Sequence, residues 1–310
     1  MSQSQIIKTS ELSWLDIINA SDKEIDYLRK KFKFDQADLT ESLAHKHAQR
    51  PKIVVRSNYI FLVMIFPLYN RKTREITPAE IDIFITDDQL ITIHYNQLVP
   101  LLDLFRLCSS NRNERETYLN DGSVMLLHEI LDRLYLSFFP MLDHLSLDIN
   151  NIEKNIFAKK EREMVQEILV IKRNIVYFRK IMQSHQSIIN KLIEQKLCLK
   201  PADAEIKFFY RDLIDYLQDI WATLGSYQTT IDALEDTNNA LVTFKLNDIM
   251  RTLTIFSVIV FPLTLMAAIF GMNVSYMPIT GTNLDFWKIV GLMLLASLSM
   301  YAYFRHKKWI

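Results

Sequence analysis

Residues 253–270, LTIFSVIVFPLTLMAAIF, carry no charged side chain, and residues 286–304, FWKIVGLMLLASLSMYAYF, carry only Lys288. Each stretch matches the ~20 residues that a helix needs to cross the hydrocarbon core of a bilayer. The alternative is a buried helical hairpin in a soluble protein, but two consecutive stretches so poor in charge are rare in soluble domains. The sequence therefore predicts two transmembrane helices near its C-terminus.

Basic residues flank these stretches on one side only. Lys245 and Arg251 precede the first stretch, and residues 271–285 between the two contain no Lys or Arg. The second stretch is followed by a basic end: Arg305, His306, Lys307 and Lys308. The positive-inside rule then places both long ends in the cytoplasm and the loop outside. Because residues 2–10 lack the apolar segment of a signal peptide, we expect a multi-pass protein of the cell (inner) membrane with both termini cytoplasmic.

Composition excludes several classes of function. The 36 Lys and Arg balance 36 Asp and Glu, so no basic excess points to nucleic acid. The five glycines are too dispersed for a phosphate-binding loop, and Cys108 and Cys198 form neither a disulfide framework nor a zinc knuckle. Neither His128 nor His144 has a second histidine four residues later, as a helical zinc site requires. We expect no enzyme and no organic cofactor.

The part before the spans is predicted to be α+β. Short apolar runs predict strands at 53–55, 59–67, 80–86 and 89–95, and helical spacing is present within 21–43. From residue 123 the period stays helical. We expect one helix kinked at Pro140, a second over 161–198, and a third that continues from 202 to 270 over about 100 Å.

A stripe of small and polar residues follows one side of the third helix at three- and four-residue steps. Its members are Asn247, Met250, Thr254, Ser257, Phe261, Thr264 and Ala268. Such residues are unusual on a lipid-facing surface, and one helix cannot enclose a pore. The stripe therefore predicts an oligomer arranged around a central axis.

Several motifs resemble the CorA family of divalent-cation channels over nearly the whole chain. In the C-terminal part these are Pro262-Leu263-Thr264, Phe270-Gly271-Met272-Asn273, Met277-Pro278 and the basic end Lys307-Lys308-Trp309-Ile310. Upstream they are Trp14-Leu15-Asp16, Gln49-Arg50-Pro51-Lys52, Asn58-Tyr59-Ile60-Phe61 and Tyr210-Arg211-Asp212. The Gly-Met-Asn triplet carries the most weight because it stands at the outer end of the first of two C-terminal spans.

The resemblance implies a homopentameric funnel in the bilayer with one central pore lined by the first spans. It implies the following division: 1–122 an N-terminal α/β sandwich-like domain, 123–252 a helical stalk, 253–270 the pore-lining span, 271–285 the external loop, 286–304 the second span and 305–310 a basic cytosolic tail.

The resemblance also implies site residues. Gly271, Met272 and Asn273 would form the selectivity filter, with Met272 packed to hold the turn, although Gly and Asn are also usual at helix ends. The pore and gate set is Asn247, Met250, Leu253, Ser257, Phe261 and Thr264. Met250 and Leu253 could instead be plain bundle core, the Ser257 and Thr264 hydroxyls could bond their own helix, and either Leu253 or Thr254 could face the axis.

The family's regulation implies cytosolic Mg²⁺ bound by carboxylates between subunits, for which Asp212 and Glu41 are the candidates. Mg²⁺ is then both the transported and the regulatory ion, with Co²⁺ or Ni²⁺ as further cargo. Ser275 and Ile279 stand where relatives carry acids, so cation attraction to the mouth should be weaker. The alternative function is a Zn²⁺ transporter of the same architecture, with or without coupling to protons.

Overall fold

The computed structural model describes residues 2–43, 50–194, 204–272, 284–307 and 309. Six strands form one sheet: β1 Gln3–Lys8, β2 Ser13–Ile18, β3 Lys52–Val55, β4 Ile60–Asn70, β5 Glu75–Ile85 and β6 Gln89–His94. Their order is β1-β2-β6-β5-β4-β3, and only the β2–β6 pair among them is parallel. The predicted strands at 53–55, 59–67, 80–86 and 89–95 are confirmed as β3 to β6.

Two strands, β1 and β2, were not predicted from the sequence. β1 reads QSQIIK, and only Ile7 of its residues is buried. An edge strand with one exposed side need not be apolar, so its polar sequence resembles a loop. β2 is buried from Ser13 to Ile17, and the Trp14-Leu15-Asp16 motif lies within it.

Ten helices are described around and after the sheet. They are α1 Asp22–Phe32, α2 Gln36–Glu41, α3 Val99–Ser110, α4 Arg112–Leu119, α5 Ser123–Leu136, α6 Phe139–Phe157, α7 Glu161–Met182, α8 His185–Glu194, α9 Ala204–Phe270 and α10 Asp285–His306. One face of the sheet packs under α1 and α2 around Phe61, Phe84 and Leu28. On the other face, the Trp14 ring meets Phe105 of α3 at 4.9 Å, and Asn174 of α7 binds the Ile76 N–H of β5.

The predicted kinked helix is wrong in one respect, because Pro140 starts a new helix. α5 ends at Leu136, and α6 begins at Phe139 with the proline in its first turn. Proline is favoured there because the first N–H groups of a helix have no partner within it. The second predicted helix also divides, into α7 and α8, and its predicted end at 195–198 lies outside the described residues.

His185 starts α8 at this second break. It is fully buried, its Nε2 lies 2.8 Å from the Ile65 carbonyl oxygen of β4, and its Nδ1 lies 3.1 Å from the Tyr135 hydroxyl. These bonds connect α8 to β4 and α5. No hydrophobic period could reveal them, since they join residues far apart in the sequence.

The long third helix is confirmed as α9, 67 residues in one piece. The chain divides into two compact units, Met1–Glu235 and Asp236–Ile310, with the boundary inside this helix. Within the first unit α9 has the neighbours that its length requires. The Tyr210 hydroxyl donates to the Val124 carbonyl of α5 at 2.9 Å, and Lys172 of α7 pairs with Asp232 and Glu235.

The second unit contains the rest of α9 and α10. An 18-residue window of each helix is long and apolar enough to cross a membrane, and neither window is buried. That observation agrees with the two predicted spans. The division at residues 122, 252, 270, 285 and 304 stays a prediction.

Candidate pore and regulatory residues

The predicted stripe lies on one side of α9. Half-buried residues recur along α9 at Ile255, Ile259, Met266 and Phe270, and along α10 at Ile289, Met293, Ala296 and Met300. This pattern indicates that the two helices pack along these faces. At about 100° per residue, the stripe is centred on the opposite side of α9.

Large apolar side chains on the side of α9 that carries the stripe are exposed in the single chain. Met250, Leu253 and Phe261 are 59%, 58% and 71% exposed. Leu253 and Thr254 lie on either side of the centre of the stripe, so neither is excluded from facing an axis. Since α10 covers a different side, the stripe has no covering element within the described part of the chain.

The hydroxyl groups of the stripe bond their own helix. Thr254 donates to Met250 O at 2.8 Å, Ser257 to Leu253 O at 2.9 Å and Thr264 to Val260 O at 2.9 Å. Of the two roles considered for Ser257 and Thr264, backbone bonding is thus present. It does not exclude the other, because each oxygen keeps lone pairs that can accept a hydrogen bond from water.

Gly271 follows the last residue of α9, and a close contact explains the glycine there better than the expected turn does. Among the described glycines only Gly122 has a positive φ, so a left-handed cap at Gly271 is not what requires glycine. Instead, a Cβ on Gly271 would lie 3.1 Å from the Ala267 carbonyl oxygen, tighter than ordinary contact. Met272 is 58% exposed among the described residues, and the expected packing of its side chain stays a prediction.

The third filter residue, Asn273, lies outside the described residues, as do Ser275, Met277 and Ile279. The structure therefore shows where α9 ends but not where the Asn273 side-chain amide lies.

Asp212 lies half-buried on α9, two residues after the anchored Tyr210. It is near Asp132 of α5, whose pKa is raised by burial and, to a smaller extent, by the negative charges of Glu129 and Asp212. An acid on α9 therefore lies close enough to an acid on α5 to influence it electrostatically. The sequence does not point to Asp132, because nothing in the local pattern connects it to residue 212.

Glu41 ends α2 and forms an ion pair with Lys52 of β3. Asp212, by contrast, lies near Asp132 of α5, so the structure places the two regulatory candidates beside different groups. No three His, Cys, Asp or Glu side chains of the described ranges meet in an arrangement that could hold a metal ion.

Asp82 of β5 is a buried acid that sequence reasoning missed. It is 2% exposed, and its Oδ1 has no hydrogen-bond partner among the described residues. Burial raises the pKa of Asp82 to about 8, with a further contribution from the charge of Glu80. The alternation in EIDIFIT puts residue 82 on the same side of the strand as Glu80 and opposite Ile81, Ile83 and Ile85. The local pattern therefore predicts a strand with an outward-facing acid and gives no sign of a buried one.

Known transport proteins resemble this chain in sequence and in fold. Residues 9–306 match the family described as CorA-like Mg²⁺ transporter protein. The chain belongs to this family. It is 26% identical over 270 residues to the cobalt/magnesium transport protein CorA of Thermotoga maritima, covering 87% of this chain and 75% of that protein. It is 25% identical over 301 residues to the CorA of Methanocaldococcus jannaschii, covering 96% and 92%.

Solved structures agree on the CorA fold. The complete CorA magnesium transporter of M. jannaschii superposes with a TM-score of 0.84 at 23% identity, covering 98% of this chain and 93% of that one. The cytoplasmic domain of ZntB from Vibrio parahaemolyticus gives 0.57 at 15% identity, covering 76% and 89%. The predicted α+β domain, long helix and two C-terminal apolar helices are thereby confirmed, and the chain is a divalent metal ion transporter of the CorA family.

The buried state of Asp82 predicts a pH-dependent stability. In the unfolded chain Asp82 ionises near 3.8, whereas the folded chain keeps the proton until about pH 8. Wild-type stability should therefore fall as pH rises through this window. Asp82→Asn lacks this loss, so its stability relative to wild type should rise across the window, by at most about 1.4 kcal/mol per pH unit.

Thermal unfolding of both full-length proteins across that pH range measures the difference. Asp103→Asn, an exposed acid on α3, is the matched control and should show no such trend. A stability difference for Asp82→Asn that does not change with pH would contradict the buried, protonated state.

Proposed function

We propose that the chain forms a Mg²⁺ channel in which α9 of several copies surrounds one pore, a homopentamer by analogy with the family. The observation that carries the proposal is the stripe on α9, which is exposed except at the half-buried Ser257 and lies opposite the face that packs on α10. Thr254, Ser257 and Thr264 cannot remain against lipid without cost, and copies of the same helix are the simplest cover. Both termini would lie in the cytoplasm, as the basic flanks predict.

The chemistry of the stripe suits a hydrated hard cation. Mg²⁺ holds an octahedral water shell that it releases reluctantly. The outer hydrogens of such a shell need acceptors, and the Ser257 and Thr264 oxygens have free lone pairs because their O–H groups already donate to the helix. A ring of Asn273 amide oxygens at the mouth would accept in the same way without binding the ion too tightly to release it.

The relatives named cobalt/magnesium transport proteins support Mg²⁺, and the likeness to a ZntB domain keeps Zn²⁺ as the second candidate. The described stripe carries no Cys or His, the ligands that Zn²⁺ favours. Lys288, the ionisable residue of the second span, lies 3.3 Å from Asp285 in the first turn of α10. A pair at a helix end is poorly placed to carry protons across the bilayer, so we propose transport without proton coupling.

Near the cytoplasmic end, rings of Met250 and Leu253 would form the gate, with Asn247 below them and Phe261 as a narrow point above. Apolar rings close a pore by dewetting once the passage becomes narrow. In this proposal the high exposure of Met250 and Leu253 in one chain is the surface that the other copies complete.

Cytosolic Mg²⁺ would control this gate through Asp212. Since no described ligand group is complete within one chain, the ion would bind where Asp212 meets acids of a neighbouring subunit. Glu41 is the secondary candidate, because Mg²⁺ would have to replace Lys52 as its partner. Without the ion, the acids repel and favour separation of the subunits. Bound Mg²⁺ cancels this repulsion and shifts the equilibrium by its higher affinity for the closed state.

Asn273→Ala should abolish Mg²⁺ uptake, because it removes the amide oxygens that bind the hydrated ion. Uptake into proteoliposomes, with Mg²⁺ and Zn²⁺ supplied separately and with or without a pH gradient, measures the loss. Asn273→Gln, which keeps an amide, should retain part of the uptake, and size-exclusion chromatography should show the wild-type oligomer. Wild-type uptake in the alanine variant would contradict the filter, and Zn²⁺ uptake without Mg²⁺ uptake would favour the second candidate.

Asp212→Ala should remove the protection that Mg²⁺ gives against proteolysis in α9, because the sensing ligand is gone. Asp212→Lys supplies a tethered cation and should be partly protected without Mg²⁺. Each coupled site is expected to contribute about 1–3 kcal/mol. Asp215→Ala, an exposed acid one turn later, is the control and should behave as wild type. If Mg²⁺ protects Asp212→Ala at the wild-type concentration, Asp212 is not the sensor.

A further inference from the structure

The C-terminal residues of the chain lie beside α9 just before its apolar stretch. The Arg251 guanidinium carbon is 5.8 Å from the centroid of the Trp309 ring. That ring stacks on the Phe304 ring with 5.8 Å between their centroids, and the backbone N–H of Trp309 donates to the Phe304 carbonyl oxygen at 3.0 Å. Phe304 itself is buried. These contacts fix an indole ring and a guanidinium at the same level of the two spans.

Two further cations, Arg305 and Lys307, precede Trp309 at the end of α10. Arg251, Arg305 and Lys307 are exposed, and the described residues contain no ion pair between any of them and a carboxylate. The last-turn position of Arg305 is explained in part by the negative end of α10. No such reason applies to Arg251, which lies in the interior of the 67-residue α9.

Arg251 does not lie on the predicted pore side. It is displaced from the centre of the stripe by about 90° around the helix, at about 100° per residue. Val258 and Leu265 follow it at seven-residue steps on the same side and are 43% and 61% exposed. An exposed apolar track therefore begins directly above the guanidinium.

We propose that Arg251, Arg305, Lys307 and the Trp309 indole bind the phosphate headgroup of an anionic phospholipid, whose acyl chain lies along Val258 and Leu265. The planar guanidinium matches phosphate oxygens, and tryptophan favours the headgroup level of a bilayer. Basic residues just cytoplasmic to a span attract anionic lipids. The apolar track favours a lipid over a free phosphate ion. The proposal rests on the proposed membrane topology.

The test uses the full-length protein in phosphatidylcholine vesicles that contain either brominated phosphatidylglycerol or brominated phosphatidylcholine at the same fraction. Bromine quenches tryptophan emission on contact, and subtraction of the Trp309→Phe signal isolates Trp309. Brominated phosphatidylglycerol should quench Trp309 more strongly. Arg251→Gln should lose this preference, and Arg251→Lys should keep part of it because the charge remains.

Lys288→Gln is the matched control, because it removes a cation from the other end of α10 that is paired with Asp285. It should keep the preference. Lys307→Gln provides a second variant if Arg251→Gln does not insert. Equal quenching by the two lipids in wild type, retention of the preference in both Arg251→Gln and Lys307→Gln, or its loss in Lys288→Gln would overturn the proposal. Loss of the preference on adding inorganic phosphate would show a free-anion site instead.

Mg²⁺ uptake by the same vesicles separates this proposal from the proposed function. Absence of uptake together with a retained lipid preference would contradict Mg²⁺ transport and leave the lipid site standing.

Discussion

A transmembrane helix with polar residues on its uncovered side must find a partner, and this constraint governs the whole chain. On α9 the half-buried face of Ile255, Ile259 and Met266 is satisfied by α10. The opposite side carries Thr254, Ser257 and Thr264 and has no cover in the described chain. Their O–H groups already donate to the helix backbone, but lipid offers no donor to their remaining lone pairs, so contact with water or with other copies of the helix is favoured over contact with lipid.

The same helix runs without a break from the first unit into the second unit, which contains the two apolar stretches. Tyr210 and Lys172 hold its first half to α5 and α7, where Asp212 is placed near Asp132. A long continuous helix transmits a small change in packing at Asp212 along its length, because its backbone hydrogen bonds do not allow local bending. Pro262 is the exception, since it removes one of those bonds within the apolar stretch. In the proposed regulation, a charge-driven movement near Asp212 would reach Met250 and Leu253 along this helix, because both residues precede the proline.

Elements that show a repeating pattern of apolar or polar residues were predictable from the sequence, and contacts between residues far apart in the sequence were not. The spans, α9 and its stripe follow from charge-free length and three- and four-residue steps, and β3 to β6 follow from apolar runs. β1 was missed because an edge strand can be polar, and the break at Pro140 was misjudged because proline serves at a helix start as well as at a kink. The pairing of Glu41 with Lys52, the bonds of His185 and the burial of Asp82 depend on the tertiary fold, which no local pattern encodes.

The central claim is that the stripe on α9 lines a water-filled pore, and cysteine accessibility tests it most directly. Residues 247–268 would be replaced one at a time by cysteine in a Cys198→Ser background. Cys108 can stay, because burial raises its pKa to about 11 and keeps it unreactive. In vesicles at low Mg²⁺, a water-soluble thiol reagent should label Thr254, Ser257, Phe261 and Thr264 positions but not those of Ile255, Ile259 and Met266, and high Mg²⁺ should slow labelling at Met250 and Leu253. Equal labelling around the helix, or labelling of the α10-facing positions alone, would contradict the account.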